Sequence, residues 1–102
     1  MPQVWVQRWE ESERDWGCRP DGYSIHLTED DVRIFVSQRM LNQRLYFEKQ
    51  GITGTPDEYC RPCGKPYLAT IDQEQFIEID YDGHVNGKKF TSNQCPPPVK
   101  KA

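Results

Sequence analysis

Cys60-Arg61-Pro62-Cys63-Gly64 sets two thiols three residues apart on a glycine-bearing segment. Two thiolates at that spacing make half of a tetrahedral zinc site of the zinc-ribbon kind. The other half needs a second pair, and Cys18, Cys95, His26 and His84 are each isolated in the sequence. A zinc ion held by Cys60 and Cys63 would have to gather its remaining ligands from distant segments. The residues therefore read as free thiols, with no cofactor expected; a small zinc-stabilised interaction module is the alternative. A thioredoxin-like role fits less well, because that motif follows a strand and opens a helix. Here Pro66 and Tyr67 suggest a loop leading into a strand.

A second pattern is an echo. Cys18-Arg19-Pro20-Asp21-Gly22-Tyr23 and Cys60-Arg61-Pro62-Cys63-Gly64 each carry Arg-Pro-x-Gly just before a stretch that reads as a strand. If the two strands are neighbours, both turns lie at one end of a sheet and bring Arg19 and Arg61 together. Paired guanidinium groups grip carboxylates or phosphates bidentately, and Trp9, Trp16, Tyr23 and Tyr59 could add stacking. These six residues form the expected ligand- or partner-binding set. The competing reading has each arginine pairing with a nearby carboxylate, such as Glu13, Asp21 or Glu58, and pinning its own loop.

The run from Trp9 to Gly17 holds Glu10, Glu11, Glu13 and Asp15 between two tryptophans. Carboxylates can serve as general acids and bases, but only in a cleft that shifts their pKa. A charged loop is more often solvated, so a hydrolase using these carboxylates is a further alternative. The sequence has no nucleophile-elbow serine, no phosphate-cradling glycine loop and no histidine pair at ligand spacing. His26 falls at an outward position if Tyr23, Ile25 and Leu27 face inward, which reads as a surface histidine. No catalytic residue is assigned.

The elements that must position these groups fit one domain. The chain has 102 residues, of which 35% are hydrophobic, with three Trp, five Tyr and four Phe to thicken a thin core. A net charge of −3 and no long basic run argue against nucleic acid as a partner. No stretch approaches the length of a membrane span, and the start lacks the pattern of a secretory signal. The expected compartment is the cytoplasm, where thiols stay reduced.

Val4 and Val6 alternate with Trp5 and Gln7, which predicts a first strand over residues 3–9. Pro20-Asp21-Gly22 predicts a tight turn, and Tyr23, Ile25 and Leu27 a second short strand. Thr28 followed by Glu29-Asp30-Asp31 opens a helix of about 22 residues that stops at Gly51. Its sheet-facing side is read as Val32, Phe35, Val36 and Met40, widened by Ile34, Leu41 and Leu45. Residues 51–66 read as a loop, Tyr67–Ile71 as a third strand and Lys88–Thr91 as a last one. Residues 72–81 fit either a strand or a short helix opened by Asp72. The expected architecture is α+β: a small, mainly antiparallel sheet packed against one long helix. Residues 1–92 form the domain and residues 93–102 a flexible Pro/Lys tail.

Two blocks of the sequence, Trp9-Glu10-Glu11-Ser12-Glu13-Arg14-x-Trp16-Gly17-x-Arg19-Pro20-Asp21-Gly22-Tyr23-Ser24-x-His26 and Pro56-Asp57-Glu58-Tyr59-x-Arg61-Pro62-x-Gly64-x-Pro66-Tyr67, resemble a group of small uncharacterised bacterial and phage-type proteins. The likeness covers about residues 3–72 and carries no functional residues with it. It implies a short protein of phage or mobile-element type that works by binding. The expected function is thus a non-catalytic binding protein, for instance a counter-defence or host-modulating factor. Its partner would be a host protein or a small anionic ligand.

Overall fold

The computed structural model describes residues 2–13, 17–52 and 58–99. Six elements follow in order: β1 (Gln3–Glu13), β2 (Gly17–His26), α1 (Glu29–Lys49), β3 (Glu58–Thr70), α2 (Gln73–Tyr81) and β4 (Lys88–Phe90). The strands form one antiparallel sheet in the order β3-β1-β2-β4, so the first strand runs through its middle. The fold is α+β, with the long helix against the sheet, as the sequence pattern predicts.

Strand pleat divides the chemistry between two faces. Val4 and Val6 of β1 join Tyr23 and Ile25 of β2, Ala69 of β3, Ile71 just beyond that strand, and Ile79 of α2 in the main core. The residues between them point the other way. Trp9, Ser24 and His26 lie beneath α1, where Phe35 meets the Trp9 ring edge-on at 6.3 Å between centroids and the His26 ring at 4.9 Å. The sheet is therefore covered on both faces, by α2 on one and α1 on the other.

The helix starts follow local chemistry. The Thr28 hydroxyl accepts a hydrogen bond from the Asp31 N–H at 3.1 Å, and three acidic residues occupy the first turn of α1, where the helix dipole favours them. Gly51 leaves the helix with a positive φ of 76°. Asp72 caps α2 by accepting from the Gln75 N–H at 2.7 Å, which decides residues 73–81 in favour of the helix.

Three expectations need correction. First, the Arg-Pro-x-Gly segments are not turns before strands but parts of long strands. Bulges make this possible. Between Arg8 and Glu10, β2 places Asp21 and Gly22 opposite Trp9; between Val6 and Arg8, β3 places Gly64, Lys65 and Pro66 opposite Gln7. Gly22 takes the positive φ of 80° that its bulge requires, and a Cβ there would overlap the Phe90 carbonyl oxygen. Pro62 sits on the outer strand, and Pro20 lies where β2 is itself an edge, because β4 pairs only with Tyr23–Ile25. Edge positions tolerate a missing N–H. Second, the stretch expected as a free tail is docked as far as Val99. Its N–H donates to the Leu68 carbonyl at 2.9 Å, Pro98 bridges Ala69, and the Tyr67 hydroxyl donates to the Pro96 carbonyl at 2.6 Å. Third, Ile34, Leu41 and Leu45 do not widen the buried side of α1. They lie outside it, while Phe35, Val36, Met40, Gln43 and Phe47 are half-buried against the sheet. No described helix is long and apolar enough to cross a membrane.

Candidate functional site

The register takes the expected six-residue site apart. Arg19 lies opposite Glu11, and Arg61 lies opposite Glu10. Both arginines do flank β1 at one end of the sheet. But Glu10 and Glu11 are neighbours on a pleated strand, so the two arginine side chains leave opposite faces. Each is also charge-matched: Arg19 contacts Glu11 at 3.1 Å and Glu13 at 2.5 Å, and Arg61 Nε contacts Glu10 at 2.5 Å. Arg61 further donates to the Tyr59 hydroxyl and to Cys18 Sγ, both at 3.1 Å. The glutamates of the acidic run thus serve as cross-strand ion-pair partners. Trp9 and Tyr23 are buried, Tyr23 stacked on Phe90 at 5.3 Å in the core. Trp16 lies outside the described residues.

Beneath α1, the structure builds a polar chain that the sequence did not disclose. The Trp9 indole N–H donates to Ser24 Oγ at 2.8 Å, Ser24 Oγ lies 2.7 Å from His26 Nε2, and His26 Nδ1 lies 2.6 Å from the Asn86 carbonyl. The Asn86 carbonyl can only accept, so Nδ1 carries the proton and Nε2 accepts from the serine hydroxyl. His26 is thereby held neutral as the Nδ1–H tautomer. Burial lowers its pKa from 6.5, opposed by the Asn86 contact and by the charge of Asp31 on α1. A Ser–His pair at this distance has the spacing of a nucleophile and its base. Both residues are wholly buried, however, and the serine hydroxyl is spent between two partners. The chain is a structural strut. The expectation of a surface His26 fails because the face it points to is roofed by α1.

The thiols are dispersed in the same way. Cys60 lies opposite Glu11 and Cys63 opposite Arg8, which places them on opposite faces of β3, so one ion cannot take both. Cys60 Sγ donates to Asp21 at 2.9 Å, and burial together with that carboxylate pushes the thiol up to about 12. Gln43 of α1 holds the Cys60 backbone from both sides, donating to its carbonyl at 2.9 Å and accepting from its N–H at 2.7 Å. That clip occupies the outward backbone groups of Cys60 on the β3 edge. Among the described residues, no group of three or more His, Cys, Asp or Glu side chains is placed to hold a metal ion.

Among the described residues, two surface features stand out. One is the outer face of α1, where Ile34, Leu41 and Leu45 are 45–50% exposed and Tyr46 is 60% exposed. Positions 34, 41 and 45 fall on one stripe of a helix; their spacing was legible, but their outward direction was not. The other is a cleft of about 500 Å³ on the sheet face opposite α1, with Arg8 and residues 93–95 in its wall. No family model, no curated protein and no solved structure matches this chain.

Proposed function

We propose that the chain is a non-catalytic binding protein that acts by contact with another protein, through the outer face of α1. The observation that carries this reading is the exposed row Ile34, Leu41 and Leu45. The helix already has a sheet-facing side, so the exposed half of the Ile34, Leu41 and Leu45 side chains is turned away from the core. Apolar residues exposed together along a helix favour docking into a complementary apolar groove. The burial of Ser24 and His26 and the ion pairing of Glu10, Glu11 and Glu13 add support, because they leave those groups committed to structure. The phage or mobile-element context rests on the sequence resemblance and makes a host protein the partner to look for.

The test is site-specific photo-crosslinking from position 38, which lies within the stripe, in bacterial cells making the parent or its Leu41→Glu variant. Both should fold alike, since Leu41 is half-exposed. A discrete adduct formed by the parent and lost in Leu41→Glu is the expected result. Equal crosslinking by both proteins, or only diffuse adducts from the parent, would sink the reading.

A further inference from the structure

From the cleft opposite α1 we infer a binding site for a small oxyanion, a carboxylate or a phosphate monoester, with Arg8 as its anchor. The sequence pattern pointed to Arg19 and Arg61 for this chemistry, and the fold spends both on glutamates. Arg8 is different. Among the described arginines it alone has neither a carboxylate nor a ring face as partner, and its charge instead acts on the Tyr67 hydroxyl and the Cys95 thiol: Arg33 pairs with Asp30, Arg44 with Glu48, and Arg39 lies over Trp9 and Phe35. Strand pairing sets its place in the sheet. Arg8 lies between the two bulges, opposite Tyr23 on one side and Cys63 on the other. Its guanidinium passes close over Gly64, with Nη2 3.3 Å from where a Cβ would be. The positive φ of Gly64 and its missing side chain leave that approach open.

The rest of the wall suits a ligand with an anionic head and a compact body. Pro20, Gly22 and Cys63 come from the strands, and Asn93, Gln94 and Cys95 from the docked C-terminal segment. Asn93 is held in place because its Oδ1 accepts from the Gly22 N–H at 2.8 Å. That bond occupies the amide oxygen and leaves the amide N–H groups as donors. The charges lining the cleft are Arg8, Arg19 and Glu10. Glu10 is matched by Arg61, and Arg19 by Glu11 and Glu13, so the net positive charge that remains is that of Arg8. A planar guanidinium offers two parallel N–H donors to a carboxylate or phosphate. The volume falls within the usual range for small-molecule sites, roughly 300–1,000 Å³.

The site lies on the face away from α1, so its test is independent of the protein-contact reading. Thermal unfolding is followed with inorganic phosphate, adenosine monophosphate, acetate and succinate as separate probes, which distinguishes phosphate from carboxylate heads. At least one probe should raise the melting temperature of the parent with the concentration dependence of single-site binding. Arg8→Ala should melt like the parent without ligand and lose the shift. Arg8→Lys should keep only part of it, because an ammonium cannot make the paired contact. Arg19→Ala and Arg61→Ala should be less stable without ligand and should weaken the shift without abolishing it, because each unpairs a glutamate near the cleft while Arg8 remains. Amide resonances of Gly22, Gly64 and Asn93 should move on titration of the parent. No stabilisation of the parent by any probe, or a shift that survives Arg8→Ala, overturns the inference. Leu41→Glu, which tests the α1 surface, should leave the anion shift unchanged.

Discussion

Replacing Ser24 with Ala tests the buried chain under α1 most severely. The change removes one oxygen from a fully buried side chain and leaves two groups without partners: the Trp9 indole N–H and His26 Nε2. Each buried polar group left unsatisfied costs about 1–3 kcal/mol, so the expected loss is roughly 2–6 kcal/mol. A domain of this size is stable by only about 5–15 kcal/mol in total. The variant should therefore fold with a much reduced margin. At about 4–8 °C per kcal/mol, the melting temperature should fall by at least about 8 °C. Urea unfolding followed by tryptophan fluorescence gives the free energy directly, with Ser37→Ala on the exposed side of α1 as a control expected within about 0.5 kcal/mol of the parent. A loss below about 1 kcal/mol for Ser24→Ala would refute the reasoning. It would mean that the indole and the imidazole do not depend on this hydroxyl.

The remaining predictions concern pH, the C-terminal segment and a thiol. An unfolded His26 takes up a proton near pH 6.5 and the folded one only at lower pH, so its stabilising contribution is complete above pH 6.5 and is lost on acidification through the folded pKa. Parent stability should fall below pH 6.5 by up to about 1.4 kcal/mol per pH unit; an equal pH slope in His26→Gln would remove His26 as the cause. Truncation after Asn93 deletes the Val99 and Pro96 contacts and the partly buried Cys95, so the melting temperature should drop clearly; an unchanged melt would show that the docking contributes nothing. At pH 8, iodoacetamide should alkylate the exposed Cys18 well before Cys60, whose thiol stays protonated beside Asp21; peptide mapping that found Cys60 modified first would contradict the Cys60–Asp21 contact.

Local chemistry was enough to place several elements in the sequence. Alternation of Val4 and Val6 marked β1, the Thr28 hydroxyl with the acidic turn marked the start of α1, and Gly51 marked its end. Asp72 offered a cap for α2, though the alternation of Ile77, Ile79 and Tyr81 competed with it. Each of these signals depends on residues within a few positions of one another, which is why they can be read from one strand of text. The site could not be read in this way. Whether Arg19 and Arg61 meet depends on the parity of two registers against β1, and the bulges opposite Gln7 and Trp9 help to set those registers. Whether His26 faces water depends on where α1 crosses the sheet. The same crossing turns Leu41 outward and leaves Phe35 against Trp9 and His26. Pro20 and Pro62 looked like turn residues because a proline inside a paired strand removes a hydrogen bond; only the tertiary structure puts them on edges, where none is lost. The sequence by itself determined which segments fold into helix and strand. Pairing register and layer order, both set by long-range contacts, decided which side chains remain free to bind.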